Sequence, residues 1–272
     1  MLESLSYTFI QNALIAGILV SIITGIIGSL IVVNKMVFLS GGIAHSAYGG
    51  IGIAVFFGLP MLLSTSLFCI FITIIIALVS YKRRENLDII IALTWAVGMS
   101  FGIMLVDLTP GYQSDLMSYL FGSLLAVTYE DIYFMAILLI IILIIVFTFY
   151  RDILAVSYDS EYAKLRGIKT KIFYTLILIL SSLTIVISIK IVGLILVIAL
   201  LTIPIYIANF FANKLSTMMT LSSILSMLFT ILGLYISYTF DLSSGPSIIM
   251  ISSLVLLLVL FYKYFIYKIK TN

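Results

Sequence analysis

The sequence predicts an all-α integral membrane protein, and three observations lead there. Its 272 residues are 63% hydrophobic and only 9% charged, against roughly 45–50% and 25% in soluble domains. Nine apolar runs are long enough to cross a hydrocarbon core, and none shows the alternation of a barrel strand. Hydrocarbon offers backbone N–H and C=O groups no partners, so such runs must be helices. They fill the chain without a charged or Pro/Gly/Ser-rich linker, which predicts a single transmembrane domain over 1–272 and no soluble enzyme domain. A net charge of +3 is too small to point to nucleic acid.

The elements follow in order. Residues Met1 to Tyr7 lack a basic n-region and carry Glu3, so Phe9–Val33 reads as a retained first span. Met36–Leu59, Leu62–Tyr81, Ile89–Val106 and Ile132–Tyr150 come next. After the longest polar loop stand Ile172–Ile189, Ile191–Ala212, Thr217–Tyr238 and Pro246–Phe265. Pro204 is expected to kink the seventh span, and Pro246 opens the ninth at a first-turn position. Between spans four and five, Gln113–Val127 extends about 22 Å as a helix, too short to cross, and is expected to be an external surface helix or a re-entrant piece. Cys69 is the only cysteine and reports nothing about redox compartment.

Charge sets the orientation. Alternate loops carry Lys35, Lys82–Arg84, Arg151, Lys164, Arg166, Lys169, Lys171, Lys214, Lys263, Lys268 and Lys270, thirteen of the fourteen basic residues. The opposite side has only Lys190, in an expected tight hairpin, together with Glu3, Asp107, Asp115, Glu130, Asp131 and Asp241. Because cytoplasmic loops retain Lys and Arg, the N-terminus is expected outside and the C-terminus inside. An acidic outer side would raise the local concentration of cations, although solvated loop ends explain these carboxylates equally well.

Few residues have the chemistry for a site. His45 is the only histidine and falls near the middle of span two. Gly42, His45, Gly49 and Gly52 share one helix face, bare except for the imidazole, which must pack tightly or border water. Imidazole is a good transition-metal ligand, and an ionisable group at that depth is a candidate for function; a hydrogen bond to a neighbouring helix is the structural alternative. Asp115 would either cap the short external segment or attract a cation at a pore mouth. In span four, Gly98 and Gly102 allow close helix approach. The cytoplasmic segment 151–171 contains a short helix signal: Asp159 caps it, Glu161 suits its first turn, Gly167 ends it, and Tyr158, Tyr162 and Leu165 are expected to share one face. That face is suited to a partner groove, or to the membrane surface.

Four stretches in order resemble the permease subunits of the zinc/manganese/iron ABC importers, the ABC-3 family. Phe38-Leu-Ser-Gly-Gly-Ile-Ala-His45 is similar to the family's Gly-Asp-(Ala/Ser)-Leu-(Ala/Ser)-His, with Gly41-Gly42 in place of Gly-Asp. Asp115-Leu-Met-Ser-Tyr-Leu-Phe-Gly-Ser-Leu-Leu125 is similar to Asp-Leu-x-x-Tyr-Leu-Phe-Gly-x-Leu-Leu, and Asp159-Ser-Glu-Tyr-Ala-Lys-Leu-Arg-Gly167 to the family's coupling segment. Val192–Pro204 and Leu232–Pro246 complete the match. The resemblance implies a multi-pass permease in the plasma membrane of a prokaryote. Zinc, manganese or iron would be its cargo, and no cofactor would be bound by the chain itself. Its partners would be a second copy, two cytosolic ATPase subunits and an extracytoplasmic metal-binding protein. His45 and Asp115 would lie on the metal path, and Tyr158, Asp159, Glu161, Tyr162, Leu165 and Gly167 would couple to the ATPase. No Gly-x-x-x-x-Gly-Lys-(Ser/Thr) phosphate loop occurs, so ATP would act on a partner chain and this subunit would not be an enzyme. A cobalamin or iron-chelate ABC permease would need a wider path, and a stand-alone secondary metal transporter would place more ionisable groups at mid-membrane than His45 alone.

Overall fold

The structure, a computed structural model, describes residues 7–81, 86–109, 122 and 124–271. Among them all regular structure is helical: α1 Thr8–Val33, α2 Val37–Phe57, α3 Met61–Ser80, α4 Leu87–Asp107, α5 Tyr129–Thr148, α6 Tyr150–Tyr158, α7 Ser160–Leu165, α8 Thr170–Val192, α9 Leu194–Leu200, α10 Ile203–Phe211, α11 Leu215–Phe240 and α12 Ser244–Thr271. Among the described residues nine spans are long and apolar enough to cross a membrane, with α9 and α10 together forming the seventh. The predicted external segment Gln113–Val127 lies largely outside the described residues; its end forms a 3₁₀ turn at Leu124–Ala126.

Two boundaries differ from those the sequence predicts. Lys190 is not in a hairpin: α8 continues to Val192, and the chain turns at Gly193, whose φ of 83° and ψ of 162° belong to a region open essentially only to glycine. A Cβ on Gly122 would stand 2.6 Å from Gly193 Cα, so two of the motif stretches meet there by backbone contact. The seventh span does not merely kink: it stops at Leu200 and restarts at Ile203, with Pro204 in the first turn of α10, where its missing N–H costs no helix bond.

The spans differ in how far they are enclosed. Within the most apolar stretch of each, α1 and α2 are 72% buried, whereas α4 and α12 are 17% and 22% buried. The central seam joins α1 to α11 through small and hydroxyl residues. Ser21 and Thr230 hydroxyls are 3.1 Å apart, those of Ser29 and Ser222 are 3.2 Å apart, and Ser222 also donates to Gly25 O at 2.9 Å. Van der Waals packing and such bonds hold helices together where lipid removes the hydrophobic drive between them.

At the face where α1 begins, Thr128 and Asp131 form a capping box on α5, and Asn12 of α1 donates to Val127 O at 3.3 Å. Asp131 also pairs with Lys190 of α8. The carboxylate is therefore not a solvated loop end, and Lys190 is neutralised by it.

Candidate functional site

The site is built on the seam between α2 and α4, and glycine makes that seam possible. The two helices run parallel and in register: Gly42 lies on Ile91, Ser46 beside Thr94 and Gly98, Gly49 on Gly98, and Gly52 on Gly102. A Cβ on Gly52 would sit 2.7 Å from Gly102 Cα, so any larger residue would push the backbones apart. Of the two outcomes open to the bare face of α2, tight packing is the one found. Ser46 Oγ donates to Gly42 O at 2.8 Å and Thr94 O at 3.1 Å, tying the helices at mid-seam.

His45 sits at that same level, partly buried, on the ninth residue of α2. Its ring stacks on the indole of Trp95 from α4, with centroids 4.3 Å apart and planes 10° from parallel, and the Phe38 ring stands 6.1 Å from that of Trp95. Imidazole Nδ1 is enclosed and has no hydrogen-bond partner among the described residues. A buried polar nitrogen without a partner costs stability, so the structural alternative, a histidine bonded to a neighbouring helix, lacks the bond at Nδ1 that would explain it.

Trp95 is the residue that reasoning from sequence missed. The signal is there to be read: Trp95, Gly98 and Gly102 follow the same i, i+3, i+7 spacing found among Gly42, His45, Gly49 and Gly52, and Trp95 is the only tryptophan. Neither glycine in place of the family's Gly-Asp brings a ligand. Gly42 is filled against by Ile91, whereas a Cβ on Gly41 would meet nothing nearer than Ile198 Cδ1 at 3.9 Å, which leaves room for a side chain.

Asp115, expected on the metal path, falls outside the described residues. Among the described residues no three His, Cys, Asp or Glu side chains come together in a way that could hold a metal ion. A cavity of 910 Å³ lies elsewhere, between α1, α5 and α11, walled by Ile22, Ile26, Phe147 and Met227, with Arg151 and Asp152 also lining it. It shares no residue with the α2–α4 seam.

The segment 151–171 forms a second cluster. Asp159 caps α7 by accepting from Tyr162 N at 2.9 Å, Glu161 lies in the first turn, and Gly167, with φ of 80°, follows the end of the helix while Ile168 N closes it on Ala163 O. The predicted single face is corrected: Tyr158 is the last residue of α6, and extended backbone at Asp159 separates it from Tyr162 and Leu165 on α7. All three side chains are exposed, Leu165 by 88%. Ala163, fully buried, anchors α7 from beneath, and the Arg166 guanidinium lies 5.5 Å over the Tyr162 ring.

A helical bundle with nine membrane-length spans among its described residues, a capped helical elbow at one face and a histidine in a glycine seam defines a multi-pass membrane protein. The family model described as the ABC 3 transport family matches residues 6–263, and the chain belongs to that family. It is 43% identical over 263 residues to an uncharacterized membrane protein of Synechocystis, covering 97% of this chain and 94% of the other. To the manganese transport system membrane protein MntC of Listeria monocytogenes it is 32% identical, covering 92% and 89%. Among solved structures it is similar to a chain of PsaBC from Streptococcus pneumoniae in complex with Fab, with a TM-score of 0.83 and 29% identity, covering 95% of this chain and 93% of that one.

Proposed function

We propose that this chain is the permease subunit of an ABC importer that moves a divalent transition-metal ion, zinc, manganese or iron, into the cytoplasm of a prokaryote. The observation that carries the reading is His45, a metal-ligand side chain partly buried at mid-span with Nδ1 unpartnered among the described residues, in a chain of the ABC 3 transport family. The similarity to a manganese transport system membrane protein supports metal as the cargo. ATP is hydrolysed on separate ATPase subunits, the unit contains a second copy of the permease, and an extracytoplasmic protein delivers the ion.

In this reading the N-terminus lies outside and the C-terminus inside, placing α6 and α7 in the cytoplasm on the side rich in Lys and Arg. Exposed Tyr162 and Leu165 then form the docking face, with Tyr158 beside them and Asp159, Glu161 and Gly167 shaping the helix that carries them. Asp115 joins His45 on the path from the outer side. ATPase closure reaches the spans through this elbow, because α6 follows α5 after one residue and α8 begins shortly beyond α7.

Radiolabelled manganese, zinc and iron uptake by cells lacking their own importers, with this permease expressed beside its ATPase and binding protein, tests the proposal. ATP-dependent uptake of at least one of the three is expected. Accumulation of a chelate but of no free ion would favour the chelate-importer alternative. Tyr162→Ala/Leu165→Ala should reach the membrane yet lose most ATPase binding, since two such side chains contribute a few kcal/mol at an interface; full binding and uptake would remove the elbow as the lever.

A further inference from the structure

Of the four positions one turn from His45 on its own helix, Gly41, Gly42 and Gly49 carry no side chain, and only Tyr48, itself buried, does. Gly42 lies one turn before it and Gly49 one turn after, while the Ser46 hydroxyl is already engaged with Gly42 O and Thr94 O. With so little of its own helix beside it, the imidazole needs the facing helix to hold its plane. Trp95 does so: its indole lies flat on the imidazole, at 4.3 Å between centroids and 10° between planes.

The geometry of the contact matters. A metal ion binds an imidazole nitrogen along its lone pair, in the plane of the ring. A flat aromatic stacked on one face fixes that plane without itself occupying the in-plane directions of the nitrogens, and Nδ1, though enclosed, keeps no competing hydrogen bond among the described residues. A ligand held ready in this way loses less freedom on binding than a mobile one, so its affinity rises without any new contact to the ion.

From this we infer that Trp95 is a positioning residue for the metal path, acting through His45 to orient the imidazole for a divalent transition-metal ion. The inference rests on the reading that His45 contacts the cargo. Trp95 itself touches no ion. Trp95→Phe, which keeps a flat face, preserves the effect, and Trp95→Leu, which keeps the site apolar without one, removes it.

Stepwise addition of Co²⁺ to the purified permease–ATPase complex, followed by the visible absorption of the cobalt–imidazole centre, separates the possibilities. Trp95→Leu should weaken Co²⁺ binding roughly three- to tenfold, the range that an aromatic pair typically supplies, while Trp95→Phe binds as the wild type does. In a His45→Ala background, Trp95→Leu should add nothing. Bound Co²⁺ should also quench the part of the indole emission that disappears in Trp95→Phe, a readout that does not require the leucine variant to assemble. Wild-type affinity in Trp95→Leu, an equal loss in the His45→Ala background, or Co²⁺ binding without quenching would each overturn the role given to Trp95. Unchanged Co²⁺ binding in His45→Ala alone would instead overturn the reading of His45 on which the inference stands.

Discussion

Two seams of small residues run through this bundle, and they differ in the polar groups they enclose. Between α1 and α11, hydroxyls meet in pairs: Ser21 with Thr230 and Ser29 with Ser222, with Ser222 bonded as well to the backbone of Gly25. Between α2 and α4 the glycines pack just as closely, yet an imidazole nitrogen is enclosed without a partner among the described residues, and its ring is held by stacking. In a membrane an unsatisfied polar group is costly; the first seam leaves one small hydroxyl, Ser226 Oγ, enclosed without a partner among the described residues, and the second leaves a nitrogen of an ionisable ring so. Under the proposed function, the second seam is the one that the cargo meets.

The largest expected effect breaks the holding seam. A Cβ on Gly25 would lie 2.6 Å from Ser223 Cα, a backbone atom that cannot move aside. Gly25→Leu should therefore cost roughly 3 kcal/mol or more and leave little folded permease in detergent, as size-exclusion chromatography would show. A monodisperse, wild-type-like peak would mean that α1 and α11 separate more readily than their contact implies.

The second prediction sharpens the other seam. Gly41 has room for a side chain and stands one turn before His45, whereas Gly42 is packed against Ile91. Gly41→Asp should fold and bind Co²⁺ about tenfold more tightly, because a carboxylate one helical turn away supplies a second ligand of opposite charge. Gly42→Asp should be destabilised instead, because its Cβ would press on an Ile91 methyl. Equal behaviour of the two variants in a metal-binding and stability comparison would show that the seam is looser than described.

Much of this architecture is legible in the sequence, for a physical reason. Hydrocarbon forces every span to be a long apolar helix, so nine spans can be read from composition and a kink from Pro204, but not the full break between Leu200 and Ile203. The caps of α7 are legible too, since Asp159 and Gly167 act locally. Contacts between distant segments are not. Nothing near Asp131 in the chain announces Lys190, and nothing near Ser29 announces Ser222. Spacing alone places Tyr158 on the face of α7, because it carries no sign of the extended backbone at Asp159. Trp95 escapes notice by itself, although its spacing from Gly98 and Gly102 repeats the pattern around His45.

Smaller effects test the parts that lie outside the path. Lys190→Gln leaves the Asp131 carboxylate with Thr128 but without its cation, and the lysine side chain is 40% exposed. Water screens such a pair, so the loss should be about 1 kcal/mol, seen as a modest fall in thermal stability with metal transport unchanged. A strong transport defect at normal stability would move the path toward this corner. Ser29→Ala should cost least, about 0.6 kcal/mol, because serine hydroxyls between membrane helices contribute little each. A loss of several kcal/mol in reversible unfolding would show that the hydroxyls of the α1–α11 seam act as one network.

The most direct test of the account is metal uptake by His45→Ala in cells where the amount of assembled permease–ATPase complex is measured alongside. The unpartnered imidazole at mid-span predicts strongly reduced uptake at an unchanged amount of complex. Normal uptake by an intact complex would contradict it and return His45 to the structure of the bundle.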